Sequence, residues 1–235
     1  MKSQIFEFKF LDRRLRNTLV LIPGWATDYR IFNTLDLNFN YLFPLKFSPF
    51  GFEKELLSTL RENRLERVTI LGWSMGGFIA SDFFVKHQAM VEGLILVSIR
   101  EKYEKENLRQ IKKRLKKNKE GYLYKFYHNC FSKCELELFL WFKRNLLKNY
   151  LTQMDLGTLL EGLDYLQDAE LNPPRLKNQK IYFIHGKEDK VAPINEALRV
   201  KESLPQAKFI SLKDAGHMPF LSSDFKRVLC EVRGG

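Results

Sequence analysis

At 235 residues, with 45% hydrophobic and 29% charged side chains and 20 Phe, the chain has the composition of one well-buried globular domain with room for an inserted subdomain. That excludes two independent domains, a disordered polymer and a collagen-like fibre. The formal charge of +11 is uneven: between Glu101 and Tyr150, 14 Lys or Arg stand against 6 Glu, so this segment either meets an acidic partner or is a solvated lysine-rich face.

The opening residues alternate apolar with polar side chains from Ile5 to Phe10, which reads as a strand and not as a signal peptide. No apolar run approaches the roughly 18 residues of a membrane-spanning helix, so no membrane contact is expected. Thr18 to Ile22 is a continuous apolar run of the kind buried in a parallel sheet, and it ends at Pro23-Gly24-Trp25. A helix is expected around Tyr29 to Leu35, a short strand near Tyr41 to Leu45, and a helix from Glu53 to Asn63. Next come the strand Val68 to Leu71, the helix Met75 to His87 and the strand Leu94 to Ser98. Strands alternating with helices predict a mostly parallel, doubly wound α/β sheet.

From Arg100 to Pro174 the strand signal vanishes. Leu108, Ile111 and Leu115 share one helical face with Lys112, Lys113, Lys116 and Lys117 around the other. Leu136, Phe139, Leu140 and Leu147, then Leu156, Leu159, Leu160 and Leu163, repeat the helical period. Residues 100–174 therefore read as an all-helical cap inserted between two parts of an α/β core, 1–99 and 175–235. In the second part the strands are Lys180 to His185 and Lys208 to Leu212, with helices from Ile194 to Ser203 and from Ser223 to Val232. The cysteines Cys130, Cys134 and Cys230 are sparse and odd in number, as for reduced thiols in a cytoplasm, and no metal site is expected from them.

Gly72-Trp73-Ser74-Met75-Gly76-Gly77 lies between an apolar strand and a helix pattern, the layout of a nucleophile elbow, where side chains at Gly72 and Gly76 would collide with neighbouring backbone. A serine hydroxyl needs a base, usually His, held in one tautomer by a carboxylate. The chain supplies Ser74, Asp189 and His217 in that order, the last two just past strand ends that converge on one crevice. Asp214, three residues before His217, is the rival acid. His87, His128 and His185 fall on a helix end, in the cap and inside a strand. Charge developing on a carbonyl oxygen needs preorganised donors, and the backbone N–H groups of Met75 and Trp25 are expected to serve.

With these motifs the chain resembles the α/β-hydrolase superfamily over essentially its whole length. More narrowly it resembles the pimeloyl-acyl-carrier-protein methyl ester carboxylesterases of biotin synthesis, through Gly24-Trp25, the elbow, Gly216-His217-Met218-Pro219-Phe220 and the cap's end around Gly162-Leu163-Asp164-Tyr165-Leu166. The resemblance implies a serine esterase without cofactor that frees methanol from a pimeloyl chain still on its acidic carrier protein. It also implies carrier docking on the basic cap (Lys112, Lys113, Lys116, Lys117, Lys125), with Phe126 beside the substrate. A cytoplasmic monomer without nucleic acid is expected. Departures are Pro23 in place of the usual His, a Phe47-to-Phe52 loop without an Asp-x-Pro-Gly run, and Lys where Arg is common in the cap. Alternatives are a broader carboxylesterase or thioesterase, a menaquinone-pathway lyase of the same fold, and a non-catalytic binding protein.

Overall fold

The computed structural model describes residues 7–46, 48–176 and 180–233, with side chains described as far as residue 229. Ile5, Phe6, Phe47 and the Cys230 side chain, which enter the sequence expectations, lie outside the described set. The strands are β1 (Glu7–Leu11), β2 (Thr18–Ile22), β3 (Asn40–Lys46), β4 (Val68–Trp73), β5 (Val91–Val97), β6 (Ile181–Gly186) and β7 (Lys208–Leu212). The helices are α1 (Phe52–Glu62), α2 (Met75–Lys86), α3 (Lys105–Lys117), α4 (Lys119–Asn129), α5 (Leu136–Phe142), α6 (Lys148–Gln153), α7 (Leu156–Leu166), α8 (Ile194–Glu202) and α9 (Ser223–Arg233).

Among the described residues the seven strands form one sheet in the order β1-β3-β2-β4-β5-β6-β7. Only β1 pairs antiparallel, with β3; the other neighbours are parallel. Burial follows from that arrangement. β2, in the interior of the sheet, is buried at every residue, whereas β1 at the edge alternates exposed with half-buried positions. The expected helix at Tyr29 to Leu35 is only a single 3-10 turn, Tyr29–Phe32. Asp28 caps it through the Arg30 N–H, and the following Asn33, Thr34 and Asp36 favour turns over helix.

Helices α3 to α7 form an insertion between β5 and β6, and a bridge between Lys102 and Glu170 ties its two ends together. Leu108, Leu115, Leu123, Leu159 and Leu163 are buried and continue the core of the sheet. Each such leucine contributes about 1.5–3 kcal/mol by leaving water. Along α5 the inward face differs from the expected one. Leu136 and Leu140 are exposed, while Phe142, Leu146, Leu147 and Tyr150 face inward. Six of the seven residues of α5 are apolar, so the sequence pattern singles out no face there; a π-helical segment, Lys143–Leu147, then joins α5 to α6. Phe142 and Tyr150 then meet Tyr127 of α4, with ring centroids 5.2 and 5.7 Å away. No helix among the described residues is long and apolar enough to cross a membrane.

Candidate active site

Ser74 sits between β4 and α2 with φ 53° and ψ −119°, a left-handed backbone that a non-glycine residue holds only when its surroundings enforce it. Here the enforcement is backbone packing. The Ser74 N–H donates to the Val97 carbonyl at 2.9 Å, and a Cβ at Gly76 would lie 2.3 Å from the Ile22 carbonyl oxygen, so α2 starts in contact with the end of β2. A Cβ at Gly72 would meet the Gly76 carbonyl oxygen at the same 2.3 Å.

Three strand ends bring the polar groups together. His217 Nε2 lies 3.0 Å from Ser74 Oγ, and His217 Nδ1 lies 2.8 Å from Asp189 Oδ2. Ionised Asp189 can only accept, so Nδ1 carries the proton and Nε2 is free to accept from the serine hydroxyl. All three residues are buried. Asp189 Oδ1 takes the N–H groups of Val191 and Ala192 at 2.9 and 2.8 Å. Burial opposes ionisation of Asp189, but electrostatic attraction to the His217 ring and hydrogen bonds from His185 and His217 outweigh it, holding the carboxyl well below its ordinary range.

Met75 is the first residue of α2, so its N–H has no partner within the helix. Trp25 follows Gly24, which packs so tightly on the elbow that a Cβ there would be 3.2 Å from the Ser74 Cβ. Both N–H groups expected to receive an oxyanion thus flank Ser74. A cavity of about 230 Å³ opens on Ser74. Leu108, Ile111, Phe126, Leu163 and Leu166 give it apolar walls, and Arg100, Arg114, Lys125 and Lys190 also line it. Trp25 is shared with a second cavity of about 380 Å³, whose lining includes Met75 together with Asp28, Asp155 and Glu161.

The remaining sequence candidates separate by position. Asp214 is exposed, and the carboxylate on His217 Nδ1 is that of Asp189. His87 pairs with Glu53 at 2.9 Å, and His128 is exposed against Phe139. Phe126 packs edge-on against Trp25 with centroids 5.0 Å apart. Lys113, Lys116, Lys117 and Lys125 are exposed, whereas Lys112 is engaged with Asp164 of α7.

Four contributors were missed. His185 is packed inside β6 as expected, yet its Nε2 lies 3.4 Å from Asp189 Oδ2 while donating to the Ala192 carbonyl at 2.7 Å. Trp73 is more than core filling, because its Nε1–H donates to the His217 carbonyl at 2.7 Å. Tyr103 lines the serine cavity, and Arg100, paired with Glu196, lies over its ring at 4.6 Å. Both follow directly after β5, at the same sheet edge as the triad, and that position was the available signal.

Residues 46–224 match the alpha/beta hydrolase fold family, and the chain belongs to it. Within that fold Ser74, His217 and Asp189 form a hydrogen-bonded Ser-His-Asp arrangement. It is 28% identical over 240 residues to the pimeloyl-acyl-carrier protein methyl ester esterase of Wigglesworthia glossinidia brevipalpis, covering 91% of each chain. To the protein of the same name from Nitrosomonas europaea it is 25% identical over 177 residues, covering 70% of this chain and 69% of that one. In three dimensions it superposes on an esterase from Exiguobacterium antarcticum with a TM-score of 0.81 at 20% identity, covering 98% and 95% of the two chains, a likeness of fold.

Proposed function

We propose that this enzyme hydrolyses the methyl ester of a pimeloyl chain carried on an acyl-carrier protein, a step of biotin synthesis in the cytoplasm. In this reading the core, residues 1–99 and 175–235, performs the chemistry and the cap, residues 100–174, selects the substrate. Ser74 Oγ attacks the ester carbonyl as His217 Nε2 takes its proton, and Asp189 holds the imidazole in the productive tautomer. The oxyanion meets the N–H groups of Trp25 and Met75. One such donor is worth about 3 kcal/mol of transition-state stabilisation. Collapse expels methanol with the proton from His217, and a water activated by the same nitrogen then frees the acid from Ser74. No metal or cofactor enters this scheme.

The observation that carries the reading is the cavity at Ser74, apolar along its walls and lined by four cations, in a chain similar along nearly its full length to a carrier-linked methyl esterase. An apolar wall suits the hydrocarbon chain. Arg114, Lys125 and Lys190 suit the phosphate that tethers such a chain to its carrier, and exposed Lys113, Lys116 and Lys117 suit the acidic carrier itself. The test is complementation of a biotin auxotroph lacking its methyl esterase, together with methanol release from the carrier-bound ester in vitro. Growth and release are expected. Hydrolysis of p-nitrophenyl esters with neither growth nor release would leave a broader carboxylesterase.

A further inference from the structure

We infer that Glu135, a cap residue, is a positioning residue for His217. The inference rests on the reading of His217 as the base. The connector between α4 and α5 grips the histidine loop at three consecutive backbone sites. The Cys130 carbonyl accepts the His217 N–H at 2.7 Å, Glu135 Oε2 accepts the Gly216 N–H at 2.8 Å, and Ser132 Oγ donates to the Asp214 carbonyl. Glu135 Oε2 also accepts the Ser132 N–H at 2.8 Å, closing the connector on itself.

The fit leaves no slack. A Cβ at Gly216 would lie 2.5 Å from the Cys130 carbonyl oxygen and 2.9 Å from Glu135 Oε2, so connector and loop touch backbone to backbone. On its other sides His217 is held by Asp189 through Nδ1 and by Trp73 through its carbonyl. The cap thus supplies the anchor on the N–H side of the histidine. The core holds the same loop one residue earlier, where the Ala215 carbonyl accepts the Glu188 N–H at 2.9 Å, and the two anchors together set the height from which Nε2 meets Ser74 Oγ at 3.0 Å.

A carboxylate is an expensive way merely to staple two loops. Glu135 is 7% exposed, burial pushes its carboxyl above the ordinary range, and Oε1 has no partner among the described residues. All of its anchoring passes through one oxygen. The carbonyl oxygen of a glutamine can occupy that place, which separates the acceptor role from the charge.

The test compares Glu135→Gln, Glu135→Ala and Ser132→Ala on p-nitrophenyl acetate, which makes little use of the cap for binding. Glu135→Gln is expected within about threefold of wild-type kcat, and Glu135→Ala about 10- to 100-fold lower with KM within about twofold, the size of loss that a misplacement near 1 Å produces. A merely structural staple would lower the melting temperature and leave kcat of the folded enzyme unchanged. Wild-type kcat in folded Glu135→Ala, or a loss in Glu135→Gln as deep as in Glu135→Ala, overturns the inference. If Glu135→Ala does not fold, Ser132→Ala decides, with lowered kcat at unchanged KM in support and wild-type kcat against. Ser74→Ala is assayed alongside: turnover retained there removes the triad reading, whereas its loss beside a fully active Glu135→Ala removes only the role of Glu135.

Discussion

The core and the cap meet at Ser74 with different materials. On the core side the groups are set by backbone: Gly76 against Ile22, the Ser74 N–H on Val97, and two backbone N–H groups on Asp189. On the cap side the cavity is reached by side chains, Phe126 and Lys125 from α4 and Leu108, Ile111 and Arg114 from α3. Backbone contacts tolerate almost no displacement, while long side chains can change rotamer at little cost. Substitutions in the core should therefore change the chemistry by orders of magnitude, and those on the cap should change which substrate is taken by modest factors.

The sharpest break is Ser74→Ala, expected to lower kcat on a p-nitrophenyl ester by about 10⁶-fold while the melting temperature holds. Asp189→Asn follows, with a loss of about 10⁴-fold, while Asp214→Asn stays near wild type; a deeper loss in Asp214→Asn would reassign the acid. Asp189 also gives a pH signature. Because its folded-state pKa is depressed, its contribution to stability is present above the ordinary value of 3.8 and is lost as pH falls below it. The melting temperature of the wild type should thus fall more steeply on acidification below that value than that of Asp189→Asn.

Trp73→Phe keeps the ring packing but removes the donor to the His217 carbonyl. A loss of about 1 kcal/mol, or roughly fivefold in kcat, is expected in steady-state kinetics. The smallest effect belongs to the cap surface. Reversing Lys113, Lys116 and Lys117 to Glu should slow a carrier-bound substrate by about 3- to 30-fold at low ionic strength, less in added salt, and leave p-nitrophenyl acetate unchanged. Equal losses on both substrates would erase the contrast between core and cap.

What could be read from the sequence follows the same division. The continuous apolar run Thr18 to Ile22 matches β2 residue for residue, because a strand covered on both faces leaves an uninterrupted hydrophobic signal, and the strand expected at Lys208 to Leu212 matches β7 at the sheet edge, where burial is partial. Ser74, Asp189 and His217 were visible as chemistry placed at three strand ends, and the structure aligns them in one hydrogen-bonded line. The contact of Glu135 with the histidine loop was not visible, since it is made across the junction of cap and core by a residue with no local pattern. The inward face of α5 was misread because six of its seven residues are apolar, so its periodicity selects no face.

The contact between Gly76 and the end of β2 has one more consequence. It places the two segments that bear the Trp25 and Met75 N–H groups on a single rigid corner, so the spacing of those donors is a property of the fold's frame and not of any replaceable side chain. On the proposed reading of those N–H groups as oxyanion donors, a variant stripped of Ser74 would keep a preformed cradle for negative charge. Such a cradle, worth about 10³-fold over water without any nucleophile, is ready-made ground on which a different reaction could be installed.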